Sequence, residues 1–125
     1  MRFPDKLDVL TIHARLIEET GGSSGLRDQG ALESALAAAE NRYNYENADL
    51  ITCAATYPFH LTQAHAFVDG NKRIAAAITE TFLENNGSEL TMSDDELAQF
   101  FLNIAAGDLT RDDVEKELRG STRSK

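Results

Sequence analysis

Residues 65–87 read His65-Ala66-Phe67-Val68-Asp69-Gly70-Asn71-Lys72-Arg73-Ile74-Ala75-Ala76-Ala77-Ile78-Thr79-Glu80-Thr81-Phe82-Leu83-Glu84-Asn85-Asn86-Gly87, and they carry the plainest structural signal in the chain. Ile74, Ile78 and Phe82 recur every four residues, the spacing that lines apolar side chains along one face of a helix. The pattern predicts a helix from Asn71 to about Asn86, with that face turned to a core and Gly87 as its stop. Ala75, Ala76 and Ala77 allow neighbouring helices to come close. In front of the helix stands a polar turn, Val68-Asp69-Gly70.

Further helices extend in both directions. Asp5 is a fitting N-cap for a helix to about Thr20, with Leu7, Leu10, Ala14 and Ile17 on one stripe and Gly21-Gly22 at its end. The glycine- and serine-rich run 21–25 reads as a loop, too short to separate domains. A second helix fits Ala31 to about Glu40. Residues 41–47 break its pattern, and Tyr43 and Tyr45 alternate with polar neighbours, a weak strand signal. A third helix covers Ala48 to Ala64, and Pro58 inside it is expected to kink or divide it. Ser93 and Glu96 have the spacing of a capping box that opens a helix from Asp94 to about Ala106, and Thr110 with Asp113 opens the last one, to Arg119. The expectation is a single all-α domain, residues 1–120, of about six helices with at most one short hairpin, followed by a frayed polar tail at 121–125.

Composition narrows the function. The chain has 125 residues, 42% of them apolar, enough for one core. Twelve basic residues face 21 acidic ones, a net charge of −9. So acidic a surface lacks the footprint of a nucleic-acid or anionic-membrane binder. No apolar run is long enough to span a bilayer, and the first residues lack the apolar centre of a secretion signal. The single cysteine, Cys53, lies in an apolar run and reads as a buried small side chain. A cytoplasmic protein is expected.

The chemistry-bearing residues concentrate in 65–73. The first amides of the helix at Asn71 have no intrahelical partner, and the helix dipole adds partial positive charge there. Such an end suits a phosphate. Gly70 lets a ligand approach the backbone, and Lys72 and Arg73 add positive charge. Asp69 is a hard oxygen ligand of the kind that holds magnesium on nucleotide phosphates. His65 stands where an imidazole can accept a proton from a hydroxyl. A phosphate cradle, a metal ligand and a base together suit phosphoryl-type transfer. His13 and His60 fall on predicted helices with no neighbouring ligands, and Asp94-Asp95-Glu96 reads as charge favourable to a helix start.

This stretch resembles the signature of the Fic/Doc family, His-x-Phe-x-Asp/Glu-Gly-Asn-Gly/Lys-Arg: His65, Phe67, Asp69, Gly70, Asn71, Lys72 and Arg73 fit it in register. Residues 25–35 and 82–87 resemble two further segments of the family's death-on-curing toxins, so the likeness spans about 5–119. The resemblance implies that His65 is the catalytic base toward a Ser or Thr hydroxyl of a target protein, and that Asp69 positions magnesium. It implies that Gly70, Asn71, Lys72 and Arg73 bind the phosphates of ATP, and that Phe67 pins the loop. Residues 42–46 fall where members carry a flap that aligns the target by strand pairing, and an ordinary helix–helix loop fits these residues equally well.

Two departures from the wider family, Lys72 for a second glycine and Ala76 for a later arginine, are shared with the death-on-curing branch. They imply transfer of the γ-phosphate of ATP, and the resemblance as a whole implies a toxin whose target is a translation elongation factor such as elongation factor Tu. AMP transfer on the same fold is the alternative, and Lys72 argues against it. A catalytically silent interaction domain is a third reading, opposed by the intact His65, Asp69 and Arg73. Self-inhibited members carry Ser/Thr-x-x-x-Glu, and no Ser or Thr here stands four residues before a Glu. Restraint is therefore expected from an antitoxin protein in trans, folding as a helix into a groove.

Overall fold

A computed structural model describes all residues 1–125. The chain folds into α1 (Lys6–Thr20), α2 (Gln29–Glu46), α3 (Leu50–Ala64), α4 (Asn71–Asn85), β1 (Ser88–Leu90), α5 (Asp94–Ala105), α6 (Arg111–Gly120) and β2 (Thr122–Ser124). Five helices start alike. Asp5, Asp28, Asp49, Ser93 and Thr110 each accept the backbone N–H three residues on, which satisfies one of the amides a helix start leaves free. In α1, α5 and α6 the third helical residue reaches back to close a capping box. Only α4 begins without a side-chain cap, on Gly70.

Helix α3 is the centre of the bundle. It packs against α2, α4, α5 and α6, and Cys53, Ala54, Ala55, Tyr57, Leu61 and Thr62 are all buried. The predicted apolar face of α4 turns inward as expected, with Ile74, Ile78 and Phe82 at most 1% exposed. Phe82 sits between the rings of Phe3 and Tyr57, at centroid distances of 5.5 and 5.1 Å. Cys53 is fully buried, and desolvation raises its thiol further from ionisation, so it is a core side chain.

Three local expectations are corrected. Pro58 does not divide α3, which runs unbroken through it; packing on four neighbouring helices offsets the roughly 3 kcal/mol that an interior proline costs. Helix α2 does not stop near Glu40 but continues to Glu46, so residues 42–46 form no strand flap. Tertiary contacts outweigh the tyrosine alternation there. Tyr43 packs on Phe3 at 5.7 Å, the largely buried Arg42 lies 3.8 Å from both Glu46 and Glu115, and Asn47 ends the helix in the left-handed region. The third correction concerns the tail. Residues 122–124 form β2, antiparallel to β1 with Glu89 opposite Arg123, and that pair is joined by a 2.7 Å ion pair. This two-stranded sheet is the chain's short hairpin-like element, and residues 42–46, helical in α2, have no part in it.

Candidate functional site

The segment between α3 and α4 is held from three sides. His65 caps α3 with φ 48° and ψ 41°, a left-handed conformation uncommon outside glycine, though histidine adopts it more readily than most residues. Arg27 imposes part of it, its guanidinium donating to the His65 carbonyl at 2.8 Å. The amides of Arg27 and Asp28 both donate to the Ala66 carbonyl, and the Val68 amide donates to the Gly25 carbonyl. Residues 25–28 thus lie along the loop like a short strand, with Leu26 bridged to Phe67.

The second hold comes from inside the loop. The Asn71 side chain accepts from the Phe67 amide at 3.0 Å and donates to the Phe67 carbonyl at 2.9 Å. It imitates a backbone partner and closes the loop on itself. Among the residues expected to touch phosphate, Asn71 therefore has its side chain committed to loop shape, while its backbone amide stays at the uncapped helix start. Phe67 is 2% exposed, so its pinning role fits the geometry.

The third hold is α1. The His13 ring stacks on Phe67 with centroids 3.8 Å apart and planes 16° from parallel. Its Nε2 lies 2.7 Å from the Asp69 carbonyl oxygen. At the end of α1, the Thr20 hydroxyl accepts from Arg73 Nη1 at 2.7 Å.

These holds leave His65, Asp69, Gly70, Asn71, Lys72 and Arg73 around one cavity of about 250 Å³, completed by Thr62, Val68 and Ala105. All six residues singled out from the sequence are brought together. His65 is exposed at the rim, and Lys72 and Arg73 are exposed as well. No ion pair of the chain involves Lys72 or Arg73. The hydrogen-bonded ladder of α4 begins with Ile74 donating to the Gly70 carbonyl, so the amides of Asn71, Lys72 and Arg73 have no backbone acceptor. Two free cations and three free amides converge in a chain of net charge −9. An anion is the ligand such a place accommodates.

Asp69 is the acidic wall. Its Oδ1 accepts from the Gly70 amide at 2.8 Å, and its Oδ2 faces Gly22, where an added Cβ would stand only 2.5 Å away. A side chain at position 22 would have to displace the Asp69 carboxylate, and the backbone there, at φ 109°, favours glycine in any case. No group of three or more His, Cys, Asp or Glu side chains is placed to hold a metal ion, and Asp69 is the one carboxylate lining the cavity. That suits magnesium, which binds through one or two carboxylates, water and substrate phosphates, and it does not suit an all-protein metal cage.

A second, apolar cavity of about 350 Å³ adjoins the first. Lys72 and Arg73 form its edge, and Ala76, Leu97, Ala98, Phe101 and Leu102 form most of its walls. A cavity with free amides and two cations thus shares an edge with an apolar one.

Four contributors were not singled out from the sequence: His13, Thr20, Gly22 and Arg27. His13 read as a helix residue without partners, because its partners lie more than fifty positions away in sequence. The run 21–25 read as an ordinary loop.

A family profile described as the Fic/DOC family matches residues 3–83. Over 120 residues the chain is 32% identical to a protein named Protein kinase doc from Escherichia phage P1, covering 95% of this chain and 94% of that protein. It is 36% identical over 120 residues to a protein named Toxin Doc from Mycolicibacterium smegmatis, covering 93% and 90% respectively.

Proposed function

As this chain belongs to the Fic/Doc family, we propose that it is a Doc-type toxin that transfers the γ-phosphate of ATP to a Ser or Thr hydroxyl of a target protein. The observation that carries the reading is the uncapped start of α4. Gly70, three unpaired amides, Lys72 and Arg73 share one cavity with His65 and Asp69. The phage relative of nearly equal length is named a protein kinase, which supports phosphate as the group transferred.

In the proposed reaction His65 accepts the proton of the target hydroxyl, and the resulting oxygen attacks the γ-phosphorus. The bond between that phosphorus and the bridging oxygen breaks, ADP leaves, and the proton stays on His65 until solvent takes it. The amides of Asn71, Lys72 and Arg73 are placed to stabilise the equatorial oxygens, which carry the developing charge of a loose transition state. Arg73 adds a charged donor, and Lys72 a point charge on a flexible stem. Magnesium on the phosphates, with Asp69 as its protein ligand, would supply further neutralisation. The apolar slot behind Lys72 and Arg73 offers room for a base. Ala76 lines that slot, where an arginine would have gripped an outer phosphate, and this favours γ-phosphoryl over AMP transfer.

By the same family likeness the target is a translation elongation factor, with elongation factor Tu the first to test, and an antitoxin supplied in trans restrains the enzyme. The deciding experiment is labelling. Target incubated with the chain, ATP and magnesium should gain about 80 Da per site, and label should pass from the γ-phosphorus to Ser or Thr. A gain of about 329 Da, with label from the α-phosphorus, would replace the phosphate reading with AMP transfer.

A further inference from the structure

We propose that His13 is a positioning residue that fixes which way the Asp69–Gly70 peptide faces, and so keeps the cradle receptive to anions. The inference rests on reading the cavity as a nucleotide-phosphate site. Its starting point is a single oxygen. The Asp69 carbonyl receives no backbone amide; its hydrogen-bond partner is Nε2 of His13, at 2.7 Å. A carbonyl can only accept, so that nitrogen carries the proton and donates.

In a planar trans peptide the C=O and N–H bonds point in opposite directions. Drawing the Asp69 carbonyl toward α1 therefore turns the Gly70 N–H away from α1. On that side the amide meets an anionic oxygen, Oδ1 of Asp69, at 2.8 Å. That bond holds the Asp69 carboxylate at the wall of the cavity, beside the free amides of Asn71, Lys72 and Arg73.

The backbone alone does not secure this orientation. Gly70 has φ 78°, and a half-turn of the preceding peptide would bring it to about −100°, a value glycine adopts freely. The flipped peptide would aim a carbonyl oxygen where the N–H had been, repelling phosphate. His13 opposes the flip from directly beneath. It is 3% exposed, stacked on Phe67, and its Nε2 lies 3.4 Å from where a Gly70 Cβ would stand. The ring cannot swing away without breaking the stack.

Two variants separate the hydrogen bond from the packing. His13→Phe keeps a ring on Phe67 but has no donor, and His13→Gln keeps an N–H donor of similar reach. Calorimetric titration with Mg·ATP should show affinity weakened about tenfold or more in His13→Phe and within about threefold of the parent in His13→Gln, the scale of one donor lost at a charged ligand. In turnover the loss should fall on KM more than on kcat, with thermal midpoints of the two variants alike. Nuclear magnetic resonance supplies a readout independent of nucleotide. The parent chain should show a slowly exchanging His13 Nε2 proton, and His13→Phe should move the Gly70 amide and Asp69 carbonyl resonances. Unchanged affinity and unchanged resonances in a folded His13→Phe would overturn the proposal. So would a loss in His13→Gln as large as that in His13→Phe. If His13→Phe does not fold, His13→Gln decides against the parent: near-parent affinity supports the latch and a tenfold loss overturns it. A parent chain with no affinity for Mg·ATP would sink the nucleotide reading separately, while the resonances would still test the latch.

Discussion

The starts of α3 and α4 solve one physical problem in opposite ways. Each presents unpaired amides and the positive end of a helix dipole. At α3 the protein supplies its own anion: Asp49 accepts from the Thr52 amide at 2.9 Å and is gripped by both Nη atoms of Arg119, at 3.0 and 3.2 Å. At α4 it supplies Gly70, no cap, and two free cations. The closed start is a joint that ties α6 to α3. The open one keeps its amides free, its shape maintained from outside by α1 and by residues 25–28. The contrast shows where to look for chemistry in a small helical domain: at the one place where a local rule is left unfulfilled while the surroundings are heavily braced.

The strongest way to break this contrast is at the open start. His65→Ala should lower transfer by about 10² to 10⁴ while leaving the thermal midpoint nearly unchanged, because the side chain is exposed. Undiminished transfer would make His65 a C-cap of α3 and nothing more. Arg73→Ala should act next most strongly, weakening Mg·ATP binding about 10- to 100-fold through loss of a charge-assisted contact. Its only hydrogen bond in the free protein is to the exposed Thr20 hydroxyl, so a large drop in stability would count against its role as a ligand contact.

The same contrast explains what could be read from the sequence. The helices were legible because their signals are local: Asp5, Ser93 and Thr110 stand three residues from the groups they bond. The cluster 65–73 was legible for the same reason, since nine consecutive residues at a helix start stay together however the rest folds. The far end of α2 was not. Its last turns are held by Phe3 and Glu115, at sequence distances over which no local pattern speaks. The bracing by His13, Thr20 and Arg27 was hidden likewise. Residues 122–124 looked like a tail because a three-residue strand has too short a pattern to register, and its partner β1 lies across α5 and α6.

At the closed start the expected effects are smaller and confined to stability. Asp49→Ala removes a cap and a bidentate partner together. It should cost about 1 kcal/mol, the usual value of an N-cap, or a midpoint lowered by roughly 4 °C for a domain of this size. Transfer should be untouched, because Asp49 and His65 cap opposite ends of α3, about 24 Å apart at the rise of a helix. A variant that loses activity in step with stability would mean that the two ends of α3 are coupled and that the contrast is too simple.

The smallest effect separates the two jobs of Asp49 by pH. Its carboxyl is lowered to about 2, first by the hydrogen bonds from Arg119 and then by the Thr52 amide. A carboxyl depressed on folding stabilises the native state fully above its unfolded value, near 4, and loses that contribution as pH falls toward 2. The side chain is 58% exposed, so solvent screens the ion pair and its contribution should sit near the low end of exposed pairs, within about 1 kcal/mol. Asp49→Asn keeps an acceptor for the Thr52 amide but carries no charge and does not titrate. Urea unfolding of parent and variant should therefore show a deficit for Asn at pH 7 that shrinks between pH 4 and pH 2, as the parent's own carboxyl is protonated. Added salt at pH 7 should shrink it too, since the lost term is a screened charge pair. A deficit that persists unchanged at pH 2 would trace to packing of the amide rather than to charge. The start of α3 would then owe its closure to the cap alone, and Arg119 would be an ornament on a joint that holds without it.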